Sequence, residues 1–218
     1  MKKFLPHLVF GNTFLLSANK TIFWEDEKTL ILSDLHLGKS GHFRKAGIAI
    51  PQNILQEDLF CLLSEIQFFK PEKIIIVGDL FHSTMNKEHE LFLRWRKDIS
   101  YIGIHLVKGN HDILKKEWYE AANIIVHENN FTVGNFIFTH DVNDEKKIEE
   151  KYCFSGHIHP SILMRGVAKQ NMRLACFYFS KNYAVLPAFG KFTGTYSLSP
   201  NKEDSVFVLI EKTILKMQ

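Results

Sequence analysis

Cysteine is scarce in this chain: Cys61, Cys153 and Cys176 are the only three, widely spaced and without a C-x-x-C pair. That excludes a disulfide framework and a zinc ribbon, and it fits a reducing compartment such as the cytoplasm. No run approaches the roughly 20 apolar residues that span a bilayer, so a soluble protein with no membrane partner is expected. Met1 to Leu5 has the lysines of a leader, but Pro6, His7, Gly11 and Asn12 break the apolar stretch and no small-residue cleavage site follows. Repeats, low-complexity tracts and Gly/Ser-rich linkers are missing too, so one domain over residues 1–218 is expected. Charge of a single sign is also lacking, and a net +3 is too mild to mark a nucleic-acid binder by itself.

What is present is enough apolar residue, 45% of 218, for one sizeable core. β-Branched content and alternation predict strands at Thr13 to Ser17, Ile22 to Trp24 and Thr29 to Leu32. The continuous run Lys73 to Val77 has the look of a strand buried on both faces. Further strands are expected at Ile102 to Val107, Asn135 to Thr139, Tyr152 to Ser155, Leu174 to Tyr178, Tyr183 to Leu186 and Ser205 to Ile210. Helices are expected from Pro51 to Phe69, with Ile54, Leu55, Leu59, Leu62, Leu63 and Ile66 on one stripe, and from Lys87 to Ile99. Arg94-Trp95-Arg96 on the second reads as a partly buried surface helix. The fold class is an α/β sandwich of two mixed β-sheets flanked by helices.

Five polar clusters end these apolar strands: Asp34-Leu35-His36, Gly78-Asp79, Gly109-Asn110-His111-Asp112, Thr139-His140-Asp141 and Gly156-His157-Ile158-His159. Taken singly, each is an ordinary turn or cap. Together, at strand ends where α/β folds build their sites, they form a donor set of carboxylate, imidazole and amide oxygen without thiolate. Such a set suits Mn, Fe or Zn rather than a closed structural zinc site. Strand alternation would put Asp34 with His36 on one face, and His157 with His159 likewise if that stretch is extended.

In this order the clusters resemble the signature of the calcineurin-like metallophosphoesterases, from Asp34 to His159. The resemblance implies two divalent ions: Asp34, His36, Asp79 and His159 around one, and Asp79, Asn110, His140 and His157 around the other, with Asp79 shared. It implies in-line hydrolysis of a phosphoester without a covalent intermediate. His111, next to Asn110, is then the general acid, and His82 pairs with it or orients a ligand. Gly78-Asp79-Leu80-Phe81-His82 resembles the corresponding stretch of the nuclease subunit of double-strand-break repair, which favours a phosphodiester.

The flanks resemble a narrower group, the ligase-associated DNA damage response endonucleases (PdeM-type). They are the Trp24 segment, Asp34 to Lys39, Phe43-Arg44, Gly47 to Pro51, Gly78 to Ser83, Gly156 to Pro160 and Leu186 to Gly194. That resemblance implies a manganese enzyme acting on single-stranded or nicked DNA beside a DNA ligase and a helicase. Residues 161–200 hold Arg165, Lys169, Arg173, Lys181 and Lys191 and no acid, and Lys39, Arg44 and Lys45 form a second basic patch. Lys39, Arg44, Arg165 and Lys191 are the expected phosphate contacts. Tyr178, Phe189, Phe192 and Tyr196 are candidates to stack bases. Two other readings compete. A pyrophosphatase of nucleotide-linked lipids shares the opening Ile31 to Leu37 but calls for lipid-binding helices that the strand-rich C-terminal third does not offer, and a metal-free scaffold has no use for a complete ligand set.

Overall fold

The computed structural model describes residues 3–39, 53–82, 87–144, 151–165, 171–191 and 193–218. Its first half lays down one sheet in sequence order: β1 (Phe4–Val9), β2 (Asn12–Ser17), β3 (Ile22–Trp24), β4 (Thr29–Leu32), β5 (Lys73–Val77), β6 (Gly103–Val107) and β7 (Ile124–His127). The strands from β1 to β4 pair antiparallel through short turns. From β4 to β7 pairing is parallel. Parallel neighbours need crossovers, and α1 (Ile54–Phe69), α2 (Lys87–Asp98) and α3 (Lys116–Ala121) lie between them in the chain.

The β5 run shows why the sequence there is apolar throughout. Ile74 and Ile76 face the helices, packing with Leu55, Leu59, Leu62 and Ile66 of α1, while Ile75 and Val77 face the other sheet. A strand covered on both sides cannot afford a polar face. Helix α1 stops at Lys70, whose left-handed backbone lets its N–H reach the Ile66 carbonyl.

The second sheet runs β14 (Tyr196–Ser197), β11 (Pro160–Arg165), β12 (Asn171–Phe179), β13 (Tyr183–Val185), β10 (Tyr152–Ser155), β9 (Phe136–Thr139) and β8 (Asn130–Val133). β15 (Ser205–Ile210) and β16 (Thr213–Lys216) extend it from β12. Both sheets are mixed. Between them lies an aromatic core in which Phe14, Phe136, Phe138, Phe154, Phe177 and Phe207 are fully buried. Among the described residues after His159 there are strands and no helix.

The start of the chain and Arg96 differ from the sequence expectation. Phe4–Val9, with its leader-like lysines just before it, is an edge strand of the first sheet, and Pro6 is tolerated because an edge needs only one row of ladder bonds. Arg96 is not a surface charge: it is 3% exposed, and its guanidinium donates to the carbonyls of Ile99, Ile102, Ala122 and Asn123. It thereby ties the end of α2 to the end of α3.

Candidate metal centre

The ends of β4, β5, β6, β9 and β10 deliver the polar clusters to one edge of the sandwich. The chain leaves its strands there by left-handed turns: Asp34, His36, Asp79, His157 and His159 have φ of 52°, 48°, 50°, 68° and 50°. Asp and His tolerate this region better than most residues, and strain of this kind concentrates at functional sites. Adjacent turns hold one another, since the amides of Asp34 and His36 donate to the carbonyls of Gly78 and Asp79.

Two donor groups result. Asp34, His36 and His159 offer ligand atoms within 4.8 Å of one another, and so do Asp79, His140 and His157. In the first, His36 Nε2 lies 3.3 Å from His159 Nε2, which lies 3.5 Å from Asp34 Oδ1. In the second, His140 Nε2 lies 3.0 Å from His157 Nδ1, 3.6 Å from Asp79 Oδ2 and 3.1 Å from Asn110 Oδ1. Ligands about 2.1 Å from a cation, at angles of about 90–110°, stand about 3.0–3.5 Å apart, so these separations fit divalent ions. All seven expected donors are therefore brought together. The route for the last pair differs from strand alternation: His157 and His159 are both left-handed and turn to different groups.

Electrostatics suit cation binding. Burial, with Lys39 and neighbouring imidazoles, holds His36 down near 2, so it is neutral with a free lone pair. Burial pushes the Asp79 carboxyl above its usual range, against the pull of His140 and the His111 N–H. At His159 burial works against protonation, yet Asp34 and the Gly194 carbonyl together outweigh it and raise the ring above its usual value. Gly78 is forced by space as well as conformation: at φ 80°, a Cβ there would lie 1.8 Å from His140 Nδ1.

The remaining expected residues fall into three kinds of place. His111 donates its backbone N–H to Asp79 Oδ1 at 2.9 Å, and its ring centre is 4.4 Å from that of His82 and 5.5 Å from that of His36. Lys39 lies close enough to feel Asp79 and Asp34, which pull its ammonium up while burial lowers it more. Lys191 turns the other way and pairs its ammonium with Glu57 of α1. Arg44 and the Arg165 side chain lie outside the described residues, as do Phe43, Gly47 and Phe192. Of the stacking candidates, Tyr178 and Phe189 are buried and Tyr196 is exposed.

Two acids were missed in the sequence. Asp112 is 1% exposed and accepts from Phe81 N and Gly109 N, clamping the turn after β5 to the turn after β6. Burial pushes its carboxyl up to about 7. Asp141 Oδ2 lies 3.9 Å from His157 Nε2, behind the nitrogen that faces the donors. Their motifs carried the signal, because each follows a His in a strand-end cluster.

Comparisons agree with this geometry. Residues 27–165 match the family of calcineurin-like phosphoesterases. The crystal structure of the Pseudomonas putida nuclease MPE superposes with a TM-score of 0.81 at 25% identity, covering 94% of this chain and 96% of that one. The E. coli phosphoesterase Yfce gives a TM-score of 0.43 at 12% identity over 84% of this chain and 88% of that one, too remote to add to the argument. No curated protein matches significantly. With two donor groups at the strand ends of a two-sheet sandwich and a family match over most of its length, the chain belongs to the calcineurin-like phosphoesterases, metal-dependent hydrolases.

Proposed function

We propose that the chain is a dinuclear-metal phosphodiesterase of DNA, working as one domain over residues 1–218. The observation that carries this reading is the position of Asp79 Oδ2, 3.7 Å from His36 Nε2 of the first donor group and 3.6 Å from His140 Nε2 of the second. One carboxylate oxygen facing both groups makes them halves of a single centre, as a pair of cations sharing an anionic ligand requires. Asp34, His36, Asp79 and His159 would hold one ion, and Asp79, Asn110, His140 and His157 the other. Two divalent ions held there supply Lewis acidity, neutralising charge on the phosphoryl oxygens and lowering the pKa of an attacking water.

The chain's own groups complete the chemistry. His111 is fixed through its backbone to Asp79 Oδ1, leaving a half-buried ring at the rim of the first group to give a proton to the leaving oxygen. His82, tilted against it, keeps that ring in place. Lys39 contacts the phosphate, and Arg44 and Arg165 do so along the strand. The likeness to a nuclease and the histidine at position 82 support a diester of nucleic acid over a monoester. Manganese, the cytoplasm, and a DNA ligase and helicase as co-workers in repair complete the proposal, resting on the resemblance of the flanking motifs.

Hydrolysis of bis-p-nitrophenyl phosphate, its monoester counterpart and single-stranded DNA, with manganese, in wild type and Asp79→Ala, tests this. Diester and DNA cleavage lost in the variant is the expected result. Robust monoester turnover with inert DNA would sink it.

A further inference from the structure

Helix α1 buries two acids on a stripe otherwise made of Ile54, Leu55, Leu59, Leu62 and Ile66: Asp58 at 5% exposure and Glu65 at 6%. A carboxylate buried there costs stability unless something nearby needs an acceptor. For Glu65 that something is the β2–β3 turn, where Thr21 Oγ1 and Asn19 Nδ2 donate to it. For Asp58 it is the backbone of Lys191, whose N–H lies 3.3 Å from Asp58 Oδ2.

Lys191 sits in a segment that crosses between the sheets at the metal centre. Leaving β13, Leu186 N bonds to Ser155 O of β10. Ala188 bridges to Ser33, Phe189 N donates to Ser33 O at 2.9 Å, and Gly190 N donates to Asp34 O at 3.1 Å. The approach is so close that a Cβ on Gly190 would lie 2.1 Å from Leu35 O. Thr193 Oγ1 then donates to Gly190 O, shaping the return. Gly194 O lies 2.9 Å from His159 Nδ1, and Tyr196 N donates to His159 O at 3.0 Å. A carbonyl can only accept, so His159 donates from Nδ1 to Gly194 O, which turns Nε2 toward His36 and Asp34.

We propose that Pro187 to Lys191 and Thr193 to Tyr196 form a positioning strap that orients His159 for the first ion alone, with Asp58 as its anchor on α1. The strap touches Asp34 from behind and His159 from its outer nitrogen, so it joins the two sheets' contributions to one donor group. Among the described residues, the bonds of Asp79, His140 and His157 run to other groups than the strap. It also accounts for the flanking motif Leu186 to Gly194, whose described residues contribute no side chain to either group. The inference rests on reading the two groups as ion sites.

The test is manganese binding by equilibrium dialysis and calorimetry, on full-length wild type, Asp58→Ala, Asp58→Asn and Thr193→Val, with circular dichroism to check folding. Wild type should bind two ions. Asp58→Ala should weaken one of them roughly 10–100-fold, the loss typical when a ligand's supporting partner is removed, and leave the other unchanged. Asp58→Asn keeps an acceptor for the Lys191 N–H and should stay near wild type. Thr193→Val, at a half-buried turn, should weaken the same ion less. If wild type binds no manganese, the ion-site reading fails. Two ions bound normally in every variant, or both weakened alike, would overturn the strap.

Discussion

Replacing Asp79 by asparagine separates what the centre costs the fold from what it gives the chemistry. The substitution keeps the shape and keeps an oxygen for the His111 N–H, 2.9 Å from Asp79 Oδ1. It replaces Oδ2, which faces His36 Nε2 and His140 Nε2 at 3.7 and 3.6 Å, by an uncharged amide nitrogen that can donate to the neutral His36 ring. Without metal, the wild-type carboxylate is a buried charge, and burial raises its pKa while His36 stays neutral beside it. Relieving it should stabilise the metal-free protein by about 1–3 kcal/mol. At this chain length that is about 3–10 °C in Tm.

The sign with pH follows from the raised carboxyl. An acid whose folded pKa is raised favours the fold below its ordinary range and loses that advantage as pH rises through the folded value. The variant's margin in chelator should therefore be full at pH 8 and shrink as pH falls toward 4. Manganese should reverse the order: at 100 times its Kd one ion adds about 2.7 kcal/mol to wild type, and the variant has lost the shared ligand. Thermal unfolding in chelator and in manganese, at pH 8 and pH 5, reads all of this. A variant less stable than wild type in chelator at pH 8 would refute the reasoning.

Three further outcomes follow from single contacts. His111→Ala should keep both ions and lower kcat about 10²–10⁴-fold; parallel loss of metal would make its role structural. Gly156→Ala would put a Cβ 2.4 Å from Asp34 Oδ2, so metal analysis should find the first ion lost while the circular dichroism spectrum stays that of wild type. Arg96→Ala strands the buried carbonyls of Ile99, Ile102 and Ala122 and should cost about 3 kcal/mol in denaturant unfolding, with activity at 25 °C retained; a cost below about 1 kcal/mol would mean water replaces the guanidinium.

How much could be read beforehand depended on local periodicity. β3, β4, β5, β10 and β15 lie at their expected bounds because each is a short β-branched or aromatic run packed on at least one face. β1, β7, β8, β11, β14, β16 and α3 were missed: β8, for one, alternates only between exposed and half-buried, and α3 is six residues long, too brief for a helical stripe to register. At the centre, the residue types were legible and the path was not. Nothing in Gly156-His157-Ile158-His159 announces left-handed turns at both histidines. The signal for Asp58 was present, an acid at the buried spacing of α1, but its partner comes 133 residues later.

The first donor group takes Asp34 and His36 from one sheet and His159 from the other, and the second takes Asp79 from the first sheet and His140 and His157 from the second. Neither set exists until the two sheets have packed, so affinity for the ions is linked to the aromatic core between them. Cations that bind only the packed state add their binding free energy to its stability, while without them the gathered carboxylates and imidazoles oppose it. Phe138 and Phe154, stacked at 5.5 Å, lie on the strands that end in Thr139-His140 and Ser155-Gly156. A cavity there shifts the histidines as well as the core. Stability and metal affinity in this protein are consequently two readings of one inter-sheet packing.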